Sequence, residues 1–188
     1  MTINGAYAHK ITGAYGLIKG SEVHQTDWSA GSHKTLRDMF PSLPDGFTVD
    51  DAYATRTGSY GFIAGDEVHQ TDWGKAATRA LSQAFPSLPE GFTEGIDGAY
   101  AHISGAYGFI KGDHVHHTDW GADVVKELGD AFPSLPDKFK TGLDAAYATK
   151  AGAYGFIKGH QVHQTDWGNG VVKTLGEAFP SLPAAWKS

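Results

Sequence analysis

The chain has 188 residues, 40% of them hydrophobic, and 21 acidic against 15 basic side chains give it a net charge of -6. No segment gathers Lys or Arg into a stripe, which excludes the electrostatic footprint of a nucleic-acid-binding protein. There is no Cys, so a disulfide frame and a thiolate metal site are excluded, and no run of 18 apolar residues offers a membrane span. The start, Met1-Thr2-Ile3-Asn4-Gly5, lacks the basic and apolar regions of a signal peptide. A cytoplasmic protein is therefore expected, and a secreted one only if the chain has already been processed.

One pattern is written four times. Val, His, Gln or His, Thr, Asp, Trp recurs at 23–28, 68–73, 115–120 and 162–167, and each copy precedes a Phe-Pro-Ser-Leu-Pro that begins at Phe40, Phe85, Phe132 or Phe179. A period of this length marks units that cannot bury their apolar face alone and therefore stack. The repeats run at about 3–48, 49–95, 96–142 and 143–188 and leave no room for a second domain.

In each repeat the first element is a short strand of small residues, at 3–8, 49–54, 96–101 and 143–148. A β-forming run follows, Ala106-Tyr107-Gly108-Phe109-Ile110 in the third copy, closed by Lys111-Gly112-Asp113, a turn of the kind that joins antiparallel strands. The third strand is expected over 114–120. Beyond it the period changes: Trp73, Ala76, Ala77, Ala80, Leu81, Ala84 and Phe85 fall on one helical stripe, predicting a helix of two to three turns that Pro86 stops. Asp72, with Asp27, Asp119 and Asp166, stands where it would cap the first turn. Three strands and a helix-bearing outer segment per repeat predict an all-β, four-bladed β-propeller with a short helix in the outer part of each blade. Closure must come from Trp186 and the last Phe-Pro-Ser-Leu-Pro packing on the first blade, the expected weak point.

Three ordered stretches resemble the hemopexin-type repeat: Leu143-Asp144-Ala145-Ala146-Tyr147, Phe109-Ile110-Lys111-Gly112-Asp113, and Leu128 to Pro136 with its Phe-Pro-Ser-Leu-Pro ending. The resemblance covers all four repeats, and as a single propeller the chain is similar to small plant albumins with this fold. It implies an axial channel in which backbone carbonyls of Asn4, Asp50, Asp97 and Asp144, with Ala6, Ala52, Ala99 and Ala146 further along, hold calcium or sodium. Asn4 departs from the Asp pattern, and the ring-closing cysteines of many animal members are missing.

In the repeated motif, His116, Thr118 and Trp120 would share one strand face and Val115, His117 and Asp119 the other, so a pair of His116 with Asp119 is not expected. His24, His69, His116 and His163 read either as buried groups bonded to backbone carbonyls or as a ring binding haem or a divalent metal. Trp28, Trp73, Trp120 and Trp167 read as packing at the helix start or as stacking platforms for sugars. Gln25, Gln70, Gln164 and the four Asp would then supply polar partners. Among the recognised catalytic patterns, His-Glu-x-x-His, the phosphate-cradling loop and Gly-x-Ser-x-Gly are all absent from the sequence. The expected function is therefore non-enzymatic: multivalent, lectin-like binding of glycans or another small ligand, with a homodimer possible. The alternatives are haem, polyamine or divalent-metal binding through the His set, and a storage or defence role with only a structural ion.

Overall fold

The computed structural model describes residues 2–187 and forms four antiparallel four-stranded sheets, each in simple sequential order. The inner strands are Gly5–Ala8, Asp51–Ala54, Gly98–Ala101 and Ala145–Ala148, each packed against the inner strands on either side around a central axis. Their small residues permit this approach, and a single large side chain per strand points away from the axis. That residue is Tyr7, Tyr53, Tyr100 or Tyr147, and its register partner on the second strand is Gly16, Gly61, Gly108 or Gly155. A methyl group on Gly16 would stand 1.9 Å from the Tyr7 ring, so the glycine makes room for the phenol.

The chain has no single core. Four apolar clusters lie between blades, each combining the outer residues of one blade with the inner strands of the next. The cluster between blades 1 and 2, for example, joins Ile18, Val23, Leu36 and Phe40 to Val49, Ala52 and Phe62. Stability therefore comes from neighbours, as stacking repeats require. The closing cluster is of the same kind and brings Leu175, Phe179, Leu182 and Trp186 against Ile3, Ala6 and Leu17.

The expected two-to-three-turn helix is replaced by a loop, a short fourth strand and a single helical turn, Thr78–Ala80 followed by Leu81–Ala84 in blade 2. Pairing of Thr78 with His69 and of Ala80 with Glu67 covers the edge of the third strand, and this tertiary demand overrides the helical stripe. Gly74 and Ala76, both at positive φ, turn the chain where a helix would have run. The Asp residues accordingly do not cap. Thr35 and Thr174 head the helical turns of blades 1 and 4, the latter in a full capping box with Glu177.

Candidate functional site

The third strand ends at Gln25, Gln70, His117 or Gln164, short of the expected 114–120. The chain then turns back, with the Trp28 amide donating to the Gln25 carbonyl at 3.0 Å. The turn brings Trp28 to 6.3 Å from the His24 ring, whereas a continuous strand would have held them far apart. Thr26, Thr71, Thr118 and Thr165 fix it by accepting the amide of the facing Tyr at 2.9–3.0 Å.

Each repeated His is a staple between blades. His24, His69, His116 and His163 are fully buried. Nδ1 faces the carbonyl of Ser32, Ala77, Val124 or Val171 at 2.5–2.8 Å. Nε2 faces the hydroxyl of Ser181, Ser42, Ser87 or Ser134 from the preceding blade at 2.9–3.2 Å. A carbonyl only accepts, so Nδ1 carries the proton and Nε2 accepts from the serine. With both nitrogens engaged and no access, the ring of imidazoles expected for haem or a divalent metal does not fit these side chains. Among the described residues no three His, Asp or Glu side chains gather as metal ligands.

The solvent face of each joint is more open. Between blades 2 and 3 a groove of about 440 Å³ is lined by Gln70, Trp73, Phe85, Pro86, Ser87, Gly105, Tyr107 and Thr118. A matching groove between blades 1 and 2 has Phe40, Pro41, Ser42, Gly58, Tyr60 and Thr71. At the polar end of the groove between blades 2 and 3, the Gln70 amide donates to Asp72 at 2.8 Å and accepts from the buried Tyr53 hydroxyl at 3.2 Å. Burial and the neighbouring Asp72 carboxylate push the Tyr107 phenol above its usual pKa, leaving a donor hydroxyl at neutral pH. Tyr60, Tyr154 and Tyr15 are raised in the same way, by burial and then by Asp27, Asp119 and Asp166, so the Asp of one blade acts electrostatically on the Tyr of the next at all four joints. These tyrosines repeat in frame in the sequence but lay outside the expected site. In blade 3, His117 replaces Gln and its Nδ1 pairs with Asp119.

Trp28, Trp73, Trp120 and Trp167 are half-buried, each packed on an interblade cluster. A cation from the fourth strand covers each ring: Lys34, Arg79, Lys126 and Lys173, at 4.8, 4.3, 4.1 and 4.2 Å from the ring centre. A sugar stacked on that face would have to displace the cation, so the ring serves better as a groove wall than as an open platform.

On the axis, the Asp51 side chain is fully buried where the other inner strands carry Gly5, Gly98 and Ala145. Its carboxylate accepts the amides of Ala6 at 3.2 Å, Ala52 at 2.7 Å and Ala99, from three blades, and the Ala146 amide of the fourth also favours its charged form. Burial pushes its pKa well above the carboxylate range, against the four amides that pull it down. At the end of the channel where these strands begin, the side chains of Asn4, Asp50, Asp97 and Asp144 accept the amides of Gly20, Gly65, Gly112 and Gly159 at 2.5–2.7 Å. They brace their own blades through one side-chain oxygen each. At the Ala6, Ala52, Ala99 and Ala146 level the axis receives N–H donors already filled by a carboxylate, an arrangement suited to an anion.

No family model and no curated protein matches the sequence. Solved structures do. A hemopexin fold protein from cow pea is 19% identical and aligns with a TM-score of 0.75 over 95% of this chain and 96% of that one. The fold is that of the hemopexin-type propeller. A plant lectin with two metal binding sites from Cicer arietinum gives 0.74 at 19% identity, and a plant albumin from Cicer arietinum showing hemagglutination gives 0.75 at 18%, each covering 96% of both chains. In this hemopexin-type propeller no described helix is long and apolar enough to cross a membrane.

Proposed function

We propose that the protein is a non-enzymatic, multivalent binding protein that takes sugars in the grooves between its blades. The observation that carries this reading is the recurrence of one polar-aromatic set at every joint: Asp27 with Tyr60, Asp72 with Tyr107, Asp119 with Tyr154, and Asp166 with Tyr15, each beside the tryptophan of its motif. A carboxylate and a phenol over an apolar wall offer a sugar both hydroxyl partners and a surface for its C–H face. Four such sites on one chain would cross-link cells through effective concentration even where each site is weak. Structural neighbours described as a lectin and as a hemagglutinating albumin support the same reading. Because the joints offer nearly equal environments, they lack the split between acid and base that catalysis requires.

A calcium or sodium ion at the outer mouth of the channel belongs to this proposal, held on the backbone oxygens of Asn4, Asp50, Asp97 and Asp144. The buried Asp51 carboxylate would balance part of its charge.

Hemagglutination with free-sugar competition, paired with a glycan array, tests the binding reading. Agglutination should fall stepwise as Asp72→Ala, Asp119→Ala and Asp166→Ala are combined. A folded protein silent on a broad array would overturn it.

A further inference from the structure

The turn after the inner strand is one residue longer in blade 1 than elsewhere. It occupies 55–59, 102–106 and 149–153 in blades 2 to 4, and 9–14 in blade 1. All four are closed by the same backbone bond, from the amide of Thr55, His102, Thr149 or His9 to the carbonyl of Ser59, Ala106, Ala153 or Ala14, at 2.7–2.8 Å. Within them, Gly58, Gly105 and Gly152 bond back three residues, but Gly13 bonds back four, to His9. Neighbours identify the extra residue. Ile11 lies over Gly58 of the next blade, Arg56 over Gly105, Ile103 over Gly152 and Lys150 over Gly13. These four are equivalent, which leaves Lys10 as the insertion.

Lys10 is also the one of these cations that turns inward. Arg56 and Lys150 are exposed, while Lys10 is 6% exposed. Its ammonium donates to the carbonyl of Ala8 at 2.9 Å and to that of Ala148 on the adjacent inner strand. Ala8, Ala54, Ala101 and Ala148 end the four inner strands in the same register, opposite Tyr15, Tyr60, Tyr107 and Tyr154. Carbonyls of two adjacent inner strands converging on one ammonium make a negative site in a poorly solvated channel, and an unpaired ammonium buried elsewhere would be strongly unfavourable.

We propose that Lys10 is a built-in axial cation: its ammonium fills, at the inner end of the channel, a carbonyl site that without it would take a free alkali or alkaline-earth ion. This goes beyond the sugar-binding reading and does not depend on it. It also separates the two ends of the channel, since an ion at the outer mouth would leave Lys10 in place.

The test compares the wild type with two variants, deletion of Lys10, which restores the turn length of the other blades, and Lys10→Gln, which keeps the length and removes the charge. Each is treated with chelator and melted at pH 7 in choline, sodium, potassium or calcium chloride at equal ionic strength. The deletion variant should melt lower than the wild type in choline and regain about 3 °C or more, saturably, in at least one metal salt. That gain should come in addition to any metal response of the wild type. If the deletion does not fold, Lys10→Gln gives the same comparison. In the wild type, the Lys10 ammonium protons should be visible by nitrogen-15 NMR as a slowly exchanging signal unchanged by 0.1 M sodium. Folded variants with the same metal response as the wild type, or a Lys10 ammonium that exchanges as fast as those of exposed lysines, would overturn the proposal.

Discussion

At the rim, the four copies do the same thing. Each His bonds one loop carbonyl and one serine of the preceding blade, each Asp raises the pKa of the next blade's Tyr, and each Trp is covered by a cation. On the axis they differ: one blade carries Asp51 where the others have Gly or Ala, and one carries the extra Lys10. Geometry accounts for the contrast. A rim residue meets only the adjacent blade, so a functional joint has to be encoded once per copy. The axis is a single place shared by all four strands, and one change in one copy alters the site for all of them.

The largest effect expected from this contrast is on the axis. Asp51→Gly makes the blades more alike at this level, yet it strips the acceptor from the buried amides of the inner strands. We expect a loss of about 3–5 kcal/mol in urea denaturation, against the usual gain in regularity. A neutral outcome would mean that water replaces the carboxylate, and the channel would then be no more specialised than the rim.

At the rim, His69→Ala, His116→Ala and His163→Ala should each cost about 2 kcal/mol, since each orphans a carbonyl and a hydroxyl in the same way. Their losses should agree to about 0.5 kcal/mol. His24→Ala breaks the joint between the chain's two ends, with Ser181 as its partner at 2.9 Å. The same partners predict the same loss there. A clearly larger one would mark closure as the weak joint after all.

Repetition is why so much of the architecture was legible. The Gly and Ala of the inner strands, the in-frame tyrosines and the Phe-Pro-Ser-Leu-Pro segments each occupy one structural role four times, and the propeller follows from that. The fourth strand was hidden because Trp73 to Phe85 carries a helical stripe, while the pairing of Thr78 with His69 that decides the matter lies in another part of the repeat. The histidines were visible as a pattern, but sequence alone could not say that Ser42 or Ser87 would consume Nε2. The axial charges were missed for a related reason: a repeat-based reading averages over copies, and Asp51 and Lys10 are the places where one copy departs. A one-residue difference in turn length was the available signal.

The smallest expected effect isolates the axial ammonium. Burial lowers the Lys10 pKa from 10.5 to about 8, so between these values the unfolded chain holds a proton that the folded chain has released. Stability therefore rises with pH across that window, because the unfolded state binds more protons. The groups that complicate the measurement are known. Asp51 shares the channel and burial raises its pKa well above the usual carboxylate range, so it opposes the trend up to its folded pKa, while Tyr7, Tyr53, Tyr100 and Tyr147, raised well above 10 by burial, oppose it only at higher pH. Between pH 8 and 9 the wild type should gain about 1 kcal/mol in denaturant-derived stability, and Lys10→Gln should be flat over the same interval. A wild type as flat as the variant would show that the folded chain holds this proton as tightly as the unfolded one, so that the carbonyls of Ala8 and Ala148 offset the desolvation of the ammonium.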